Sequence, residues 1–229
     1  MAVGARYLLL GKQGAGKGTQ AARLATHLAV PHISTGEMFR AAVRHGSELG
    51  LQAQAFMERG ELVPDEVVIG VVAERLAQND AINAGFVLDG FPRTRSQAEE
   101  LDRVLFPEGL DAAIDIEVPT SEVLRRISGR RVCTVCGAIY HLESPPADDW
   151  SCDNDGGDVV QRDDDTEEAI IRRLHLYESE TAPLLEFYDQ QGLLVRVDGT
   201  GAVDEVFERM LTLIENGGVL ADTTVRPGS

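Results

Sequence analysis

Lysine is nearly missing from this chain. Of its 21 cationic residues only Lys12 and Lys17 are lysines, so every other cation is an arginine. Cysteine is scarce as well. Cys133, Cys136 and Cys152 fall in one short stretch, and an odd count in such a chain speaks against a disulfide framework. No apolar run approaches the roughly 20 residues of a membrane span, and Met1 to Ala5 has no signal-peptide character. A cytoplasmic protein with no membrane partner is the expectation. Positive charge is in deficit: the net charge of −17 argues against a nucleic-acid polymer as partner, because phosphate backbones are bound by basic surfaces. At 229 residues there is nonetheless enough chain for a substantial core with inserted subdomains.

One of the two lysines stands in the most informative stretch. Residues 6–10 are a short apolar run that breaks into glycines, and a helical pattern begins at Gly18. Gly11, four residues, then Gly16-Lys17 is the spacing of a phosphate loop, with Gly18 intervening before the hydroxyl of Thr19. A strand delivers the chain, glycines let backbone N–H groups close around phosphate oxygens, and the helix N-terminus adds positive potential. Lys17 supplies a mobile point charge for terminal phosphates, and Thr19 or a neighbour can help hold Mg²⁺. The pattern points to a nucleoside triphosphate.

Further along, apolar runs at 32–33, 85–89, 112–118 and 193–197 read as strands. Helical periodicity covers about 37–44, 48–59, 65–79, 96–105, 120–129, 166–190 (bent near Pro183) and 203–215. Ser34-Thr35 offers a hydroxyl cap for the helix at 37–44, and Gly60 a C-terminal stop for the one at 48–59. The alternation gives an α/β fold with a parallel sheet. Residues 131–163 have no sustained period, and 216–229 read as a flexible tail.

Asp89 ends an apolar strand, where ligands bind in open α/β sheets, and reads either as a carboxylate for Mg²⁺ or as the cap of the next turn. Arg40, Arg93, Arg130, Arg131, Arg162 and Arg173 recur where loops should face the same ligand. Phosphoryl transfer needs such charges, because its transition state spreads negative charge over equatorial oxygens. No general base stands out, and a phosphate acceptor, already an anionic nucleophile, needs none. Cys133-Thr-Val-Cys136 followed by Cys152-Asp153-Asn154-Asp155 has the spacing of two zinc knuckles, with Asp155 as fourth ligand and Asp153 as its rival. A closed set of four makes such a zinc structural rather than catalytic.

Together these residues resemble the adenylate kinase family, of the bacterial type with a long lid. The likeness rests on 11–20, Ile33-Ser34-Thr35-Gly36-Glu37-Met38-Phe39-Arg40, Leu88-Asp89-Gly90-Phe91-Pro92-Arg93 with Gln97, Gly129-Arg130-Arg131-Val132, and Arg162-Asp163-Asp164-Asp165 with Arg173. The resemblance implies a three-layer P-loop NTPase-type α/β fold with a parallel five-stranded sheet. Its core would be residues 1–33, 64–128 and 166–215, with an AMP-binding subdomain at 34–63 and a zinc-stapled lid at 129–165. It implies that Gly14, Ala15, Gly16, Lys17, Gly18 and Thr19 wrap the ATP phosphates. Arg126, Ile139, Tyr140 and Gly201 would make further ATP contacts. AMP would meet Thr35, Glu61, Leu62, Val63, Gln97 and the turn Gly90, Phe91, Pro92, with Arg40 and Arg93 on its phosphate. Arg130, Arg162 and Arg173 would neutralise the transferring group, and Asp164 and Asp165 would form an acidic lid hinge.

The implied reaction is MgATP + AMP ⇌ 2 ADP, on a monomer whose only partners are the nucleotides ATP, AMP and ADP. The implied cofactors are Mg²⁺ with ATP and a structural Zn²⁺ on Cys133, Cys136, Cys152 and Asp155. A kinase for another nucleoside monophosphate on the same fold, or a nucleotide-binding switch without acceptor chemistry, are the other readings. The chain departs from the family at Lys12 and Gln13, where a small residue or proline, then proline, is common.

Overall fold

The computed structural model describes residues 4–162 and 165–216; Asp164 and the expected tail past Asn216 lie outside them. Five strands, β1 (Ala5–Leu10), β2 (His32–Ser34), β3 (Gly85–Asp89), β4 (Ala112–Glu117) and a last one at Leu194–Asp198, form a parallel sheet. Its order is β2-β3-β1-β4, then the last strand. Runs such as Tyr7–Leu10 are apolar on every residue because strands of this kind are covered on both faces.

Alternation along each strand divides the core into two. Tyr7, Leu9 and Ile114 face α1 (Lys17–Leu28), and Met210 and Ile214 of the final helix, Val203–Asn216, lie in the same cluster. Leu8, Leu10 and Leu88 face α4 (Asp65–Leu76) and α6 (Arg95–Leu105), with Leu184 and Tyr188 completing that side. Helices thus cover both faces of the sheet, giving three layers. Between β2 and α4 stand α2 (Thr35–Arg44) and α3 (Glu48–Glu58), packed on each other. Helix α3 ends as expected at Gly60, with Gly60 N–H on Met57 O and Glu61 N–H on Phe56 O.

The structure differs from the sequence reading in four places. Helix α2 starts at Thr35, and Ser34 holds the cap position with its hydroxyl on Asp89 Oδ2 at 3.4 Å instead of on the helix backbone. The helix expected over 65–79 stops at Leu76, and α5 (Asn79–Ala84), which the pattern did not reveal, follows it. After α7 (Thr120–Gly129), the stretch without a period contains β5 (Arg130–Cys133), β6 (Ile139–His141) and β7 (Val159–Val160), an antiparallel sheet in the order β6-β5-β7. Strands that short cannot display an alternation.

The long helix expected over 166–190 is α8 (Glu167–Leu176), a π-helical turn at Tyr177–Thr181, and α9 (Pro183–Gln190). Ala182 N–H reaches back to Tyr177 O at 2.7 Å, so the break comes from that turn. Pro183 sits in the first turn of α9, where its missing N–H costs nothing. The last strand and helix are therefore β8 and α10. Among the described residues no helix is long and apolar enough to cross a membrane.

Candidate functional site

Parallel registry brings the chemistry to one edge. Leu9 lies opposite Asp89, Asp89 opposite Ser34, and Leu10 opposite Asp115, so the carboxyl ends of β1, β2, β3 and β4 open on the same side. The turn from β1 into α1 leaves there. Gly14, with φ of 81°, presses on α7: a Cβ would stand 2.6 Å from Ile127 Cγ1. Gly16 occupies the cap of α1 with φ of 100°, a conformation that L side chains rarely adopt. Ala15 is buried between them, while Gly18 and Thr19 open the first turn of α1, partly exposed.

Lys17 lies in the middle of this turn, donating to Gly11 O at 2.8 Å and Lys12 O at 2.9 Å. Burial lowers its pKa to about 8; Asp89 pulls it back up, and Arg93 and Arg130 push it further down. Those three side chains, read separately from the sequence, therefore act on one ammonium. Asp89 Oδ2 accepts from Ser34 Oγ and lies 4.0 Å from His32 Nε2. It also lies 3.4 Å from where a Cβ on Gly18 would stand, which sets it against the start of α1. Its carboxylate and the Thr19 hydroxyl are an all-oxygen donor set of the kind Mg²⁺ takes. Arg126 spans the loop from behind, donating to Ala15 O at 3.2 Å and Gly199 O at 3.0 Å. Gly201, with φ of 101°, follows in the same crossing between β8 and α10.

A second group of cations is held by carboxylates and backbone carbonyls. Arg40 binds Glu37 Oε1 at 2.6 Å, and Arg162, two residues past β7, binds the same oxygen at 3.2 Å. Burial alone would raise Glu37, but the Arg40 and Arg162 guanidiniums outweigh it and hold the carboxyl below its usual range. Arg93 Nε and Thr35 Oγ1 both donate to Gly90 O at 2.8 Å, at the head of the turn through Phe91 and Pro92. Arg173 donates to Met57 O at 2.8 Å and so spans from α8 to α3. Arg130 makes a two-point pair with the buried Asp165, Nε to Oδ2 at 2.8 Å and a second contact from Nη2 to Oδ1. Glu61, Leu62 and Val63 form the connection from α3 to α4, with Glu61 paired to Arg59.

Gln97, expected to meet a base, is held by two contacts within the protein. Its Oε1 accepts from Arg93 N–H at 2.8 Å and its Nε2 donates to Asp65 Oδ1 at 2.7 Å, so both ends work within the protein. Arg131 turns to Ser128 O and to its own neighbour's carbonyl.

In the inserted sheet, the ligand atoms of Cys133, Cys136, Cys152 and Asp155 lie within 4.8 Å of one another. Cys136 Sγ and Cys152 Sγ are 3.6 Å apart, and Asp155 Oδ1 is 3.2 Å from Cys133 Sγ. Sulfurs held at about 2.3 Å from a tetrahedral zinc would stand roughly 3.8 Å apart, so the cage fits such an ion. Asp153, the rival, is spent on Ala147 N–H at 2.9 Å. Ile139 is half exposed on β6, and the neighbouring Tyr140 turns its hydroxyl to Cys152 Sγ at 3.4 Å.

Several residues of the site have partners that the sequence did not indicate. Glu37, within the motif at 33–40, is one: it binds both Arg40 and Arg162. Lys12 donates to Thr120 Oγ1 at 2.9 Å and pairs with Glu178 at 3.4 Å, and Gln13 reaches Asp165 Oδ1 at 3.4 Å. Asp115 is 2% exposed, with no hydrogen-bond partner for Oδ1 among the described residues, and burial raises its carboxyl to about 6. A lone acid inside the apolar strand Ala112–Glu117 was the signal that could have found it.

Residues 9–193 match the family model described as adenylate kinase. An adenylate kinase of Moorella thermoacetica is 55% identical over 204 residues, covering 88% of this chain and 94% of the relative. One of Thermodesulfovibrio yellowstonii is 48% identical over 213 residues, covering 92% and 99% respectively. One of Syntrophobacter fumaroxidans is 49% identical over 210 residues, covering 90% and 98%.

Proposed function

The chain belongs to the adenylate kinase family, and we propose that it catalyses the reversible transfer of the γ-phosphoryl group of ATP to AMP, giving two ADP. The observation that carries this reading is the convergence of Asp89, Arg93 and Arg130 on Lys17 at the carboxyl edge of the sheet. In the reaction an oxygen of the AMP phosphate forms a bond to the γ-phosphorus as the bond to the β–γ bridging oxygen breaks. No proton has to move, which suits a site of cations without a general base.

Gly14 to Thr19 wrap the ATP phosphates with backbone N–H groups, and Lys17 exchanges its carbonyl partners for phosphate oxygens. Arg126, Ile139, Tyr140 and Gly201 lie on the ATP side. Arg40 and Arg93 grip the AMP phosphate, with Thr35, the turn Gly90 to Pro92, Gln97 and the connection Glu61 to Val63 around its nucleoside. Arg130, Arg162 and Arg173 meet the charge on the equatorial oxygens. Residues 34–63 act as the AMP-binding subdomain and 129–165 as a lid that excludes water, on a core of 1–33, 64–128 and 166–215. Asp89 and Thr19 would hold Mg²⁺, which bound with ATP supplies charge neutralisation on its phosphates. Cys133, Cys136, Cys152 and Asp155 would hold one Zn²⁺, a staple for a lid sheet that buries little else. The unbridged cysteines suit a reducing, cytoplasmic setting, and the working unit is taken to be a monomer.

The second reading, a kinase for another nucleoside monophosphate, draws on Gln97, whose amide is engaged by Arg93 and Asp65. A panel of nucleoside monophosphates with MgATP decides between the two. ADP formation strongest with AMP is expected. Preference for another monophosphate establishes the second reading, and no acceptor-dependent ADP leaves a binding protein alone.

A further inference from the structure

Tyr140 stands on β6 opposite Arg131 of β5, and its ring packs with Ala138 and Trp150 over Cys133, Cys152 and Val159. Its hydroxyl has two neighbours. The backbone N–H of Asp153 donates to the oxygen at 2.9 Å, and Cys152 Sγ lies 3.4 Å away. The phenol has one proton to give. With its oxygen already receiving the Asp153 N–H, that proton points to the sulfur. We propose that Tyr140 is a positioning residue of the metal centre, its O–H donating to the Cys152 thiolate and fixing that ligand for the ion. The inference rests on the reading of the cluster as a zinc site.

Charge supplies the reason for such a donor. Three thiolates and a carboxylate around a divalent ion leave a net charge of −2, with Cys133 and Cys152 buried. Hydrogen bonds to sulfur are the available compensation. Cys133 Sγ receives Val135 N–H at 3.3 Å within its own knuckle. The bond from Tyr140 to Cys152 comes instead from another strand, and it joins the second knuckle to the sheet. Asp153 closes the circuit, its N–H on Tyr140 and its carboxylate on Ala147 N–H. The residue that rivalled Asp155 as a ligand thereby works one shell further out. Because β6 pairs with β5, which begins at Arg130, Tyr140 also links the metal to the strand carrying a catalytic arginine.

Tyr140→Phe keeps the ring and removes only the donor. In the full chain loaded with one zinc per molecule, the variant is expected to bind the ion about 10- to 100-fold more weakly and to release it correspondingly faster to a chromogenic chelator. With Co²⁺ in place of zinc, the sulfur-to-cobalt charge-transfer band is expected to move to lower energy, because the Cys152 sulfur has lost a proton donor. A merely structural role for the ring would leave that band in place. Equal zinc release and an unmoved band in a variant that holds one metal overturn the role of Tyr140 while leaving the zinc site standing. A parent chain that retains no zinc after dialysis overturns the metal reading and this inference with it.

Discussion

Arg130 and Asp165, 35 positions apart, are joined by a two-point ion pair in which the carboxylate side chain is fully buried and the guanidinium 14% exposed. The pair ties the first residue of the inserted sheet to the segment that re-enters the core before α8. It also aims one of the cations that act on Lys17.

Asp165→Asn removes the charge and leaves Arg130 without its counter-ion. Breaking a buried pair from one side costs about 3–5 kcal/mol, and a loss of that size is expected in denaturant unfolding. Turnover should fall more than apparent ATP affinity, since Arg130 would lose its aim rather than the phosphate loop its shape. A loss of stability below about 1 kcal/mol would show that the pair behaves as a surface contact.

Lys17 should make nucleotide binding depend on pH. Its folded pKa of about 8 lies below the ordinary 10.5, so between these values the unfolded chain holds a proton that the folded one has released. Stability contributed by this group therefore rises with pH across that window. Bound phosphates favour the ammonium, so ATP binding should take up close to one proton at pH 9 and almost none at pH 6.5. Calorimetric titrations in two buffers of different ionisation enthalpy measure this uptake; none at pH 9 would sink the assignment. Lys17→Met should abolish both the uptake and turnover.

Asp115 works in the opposite sense. Its carboxyl is raised to about 6 from 3.8, so between those values the folded chain keeps a proton that the unfolded one has lost. Stability from this group falls as pH rises through that window and stays low above it. Asp115→Asn should stabilise the protein at pH 7.5 by on the order of 1–3 kcal/mol and change little at pH 4. The same substitution takes an attractive charge from Lys17 and should lower the pH at which ATP binding begins to weaken. Equal unfolding midpoints for parent and variant at pH 7.5 would refute the buried-charge account.

Cys133→Ala removes one corner of the metal cage. Elemental analysis should find zinc in the parent and none in the variant. Limited proteolysis should cut the variant within 129–165 first, since the local hydrophobic cluster is small and centres on Cys133, Cys152 and Val159. The sheet-centred core should melt nearly as before. Retained zinc would remove Cys133 from the ligand set.

Neighbouring residues settle part of this protein among themselves. The phosphate loop was legible because its glycines and Lys17 sit within ten positions and the required backbone angles permit few other residues. The α/β alternation was legible because strands covered on both faces are largely apolar. The cysteine knuckles were legible because a tetrahedral ion fixes ligand spacing.

Tertiary structure alone decided who meets whom. Arg162 and Arg40 share Glu37 across 125 and 3 positions, and Arg126 reaches Ala15 across 111. Long arginine side chains can satisfy many carboxylates, so which partner each takes follows from where the sheet and its insertions place the backbone. Gln97 turned to Arg93 and Asp65, and the departures at Lys12 and Gln13 acquired partners on α7, the π-helical turn and Asp165, for the same reason. Tyr140 facing the cysteines belongs with them: a residue's strand could be guessed locally, but the side on which its hydroxyl finds a proton acceptor depends on the pairing of that strand and on a loop that folds back over it.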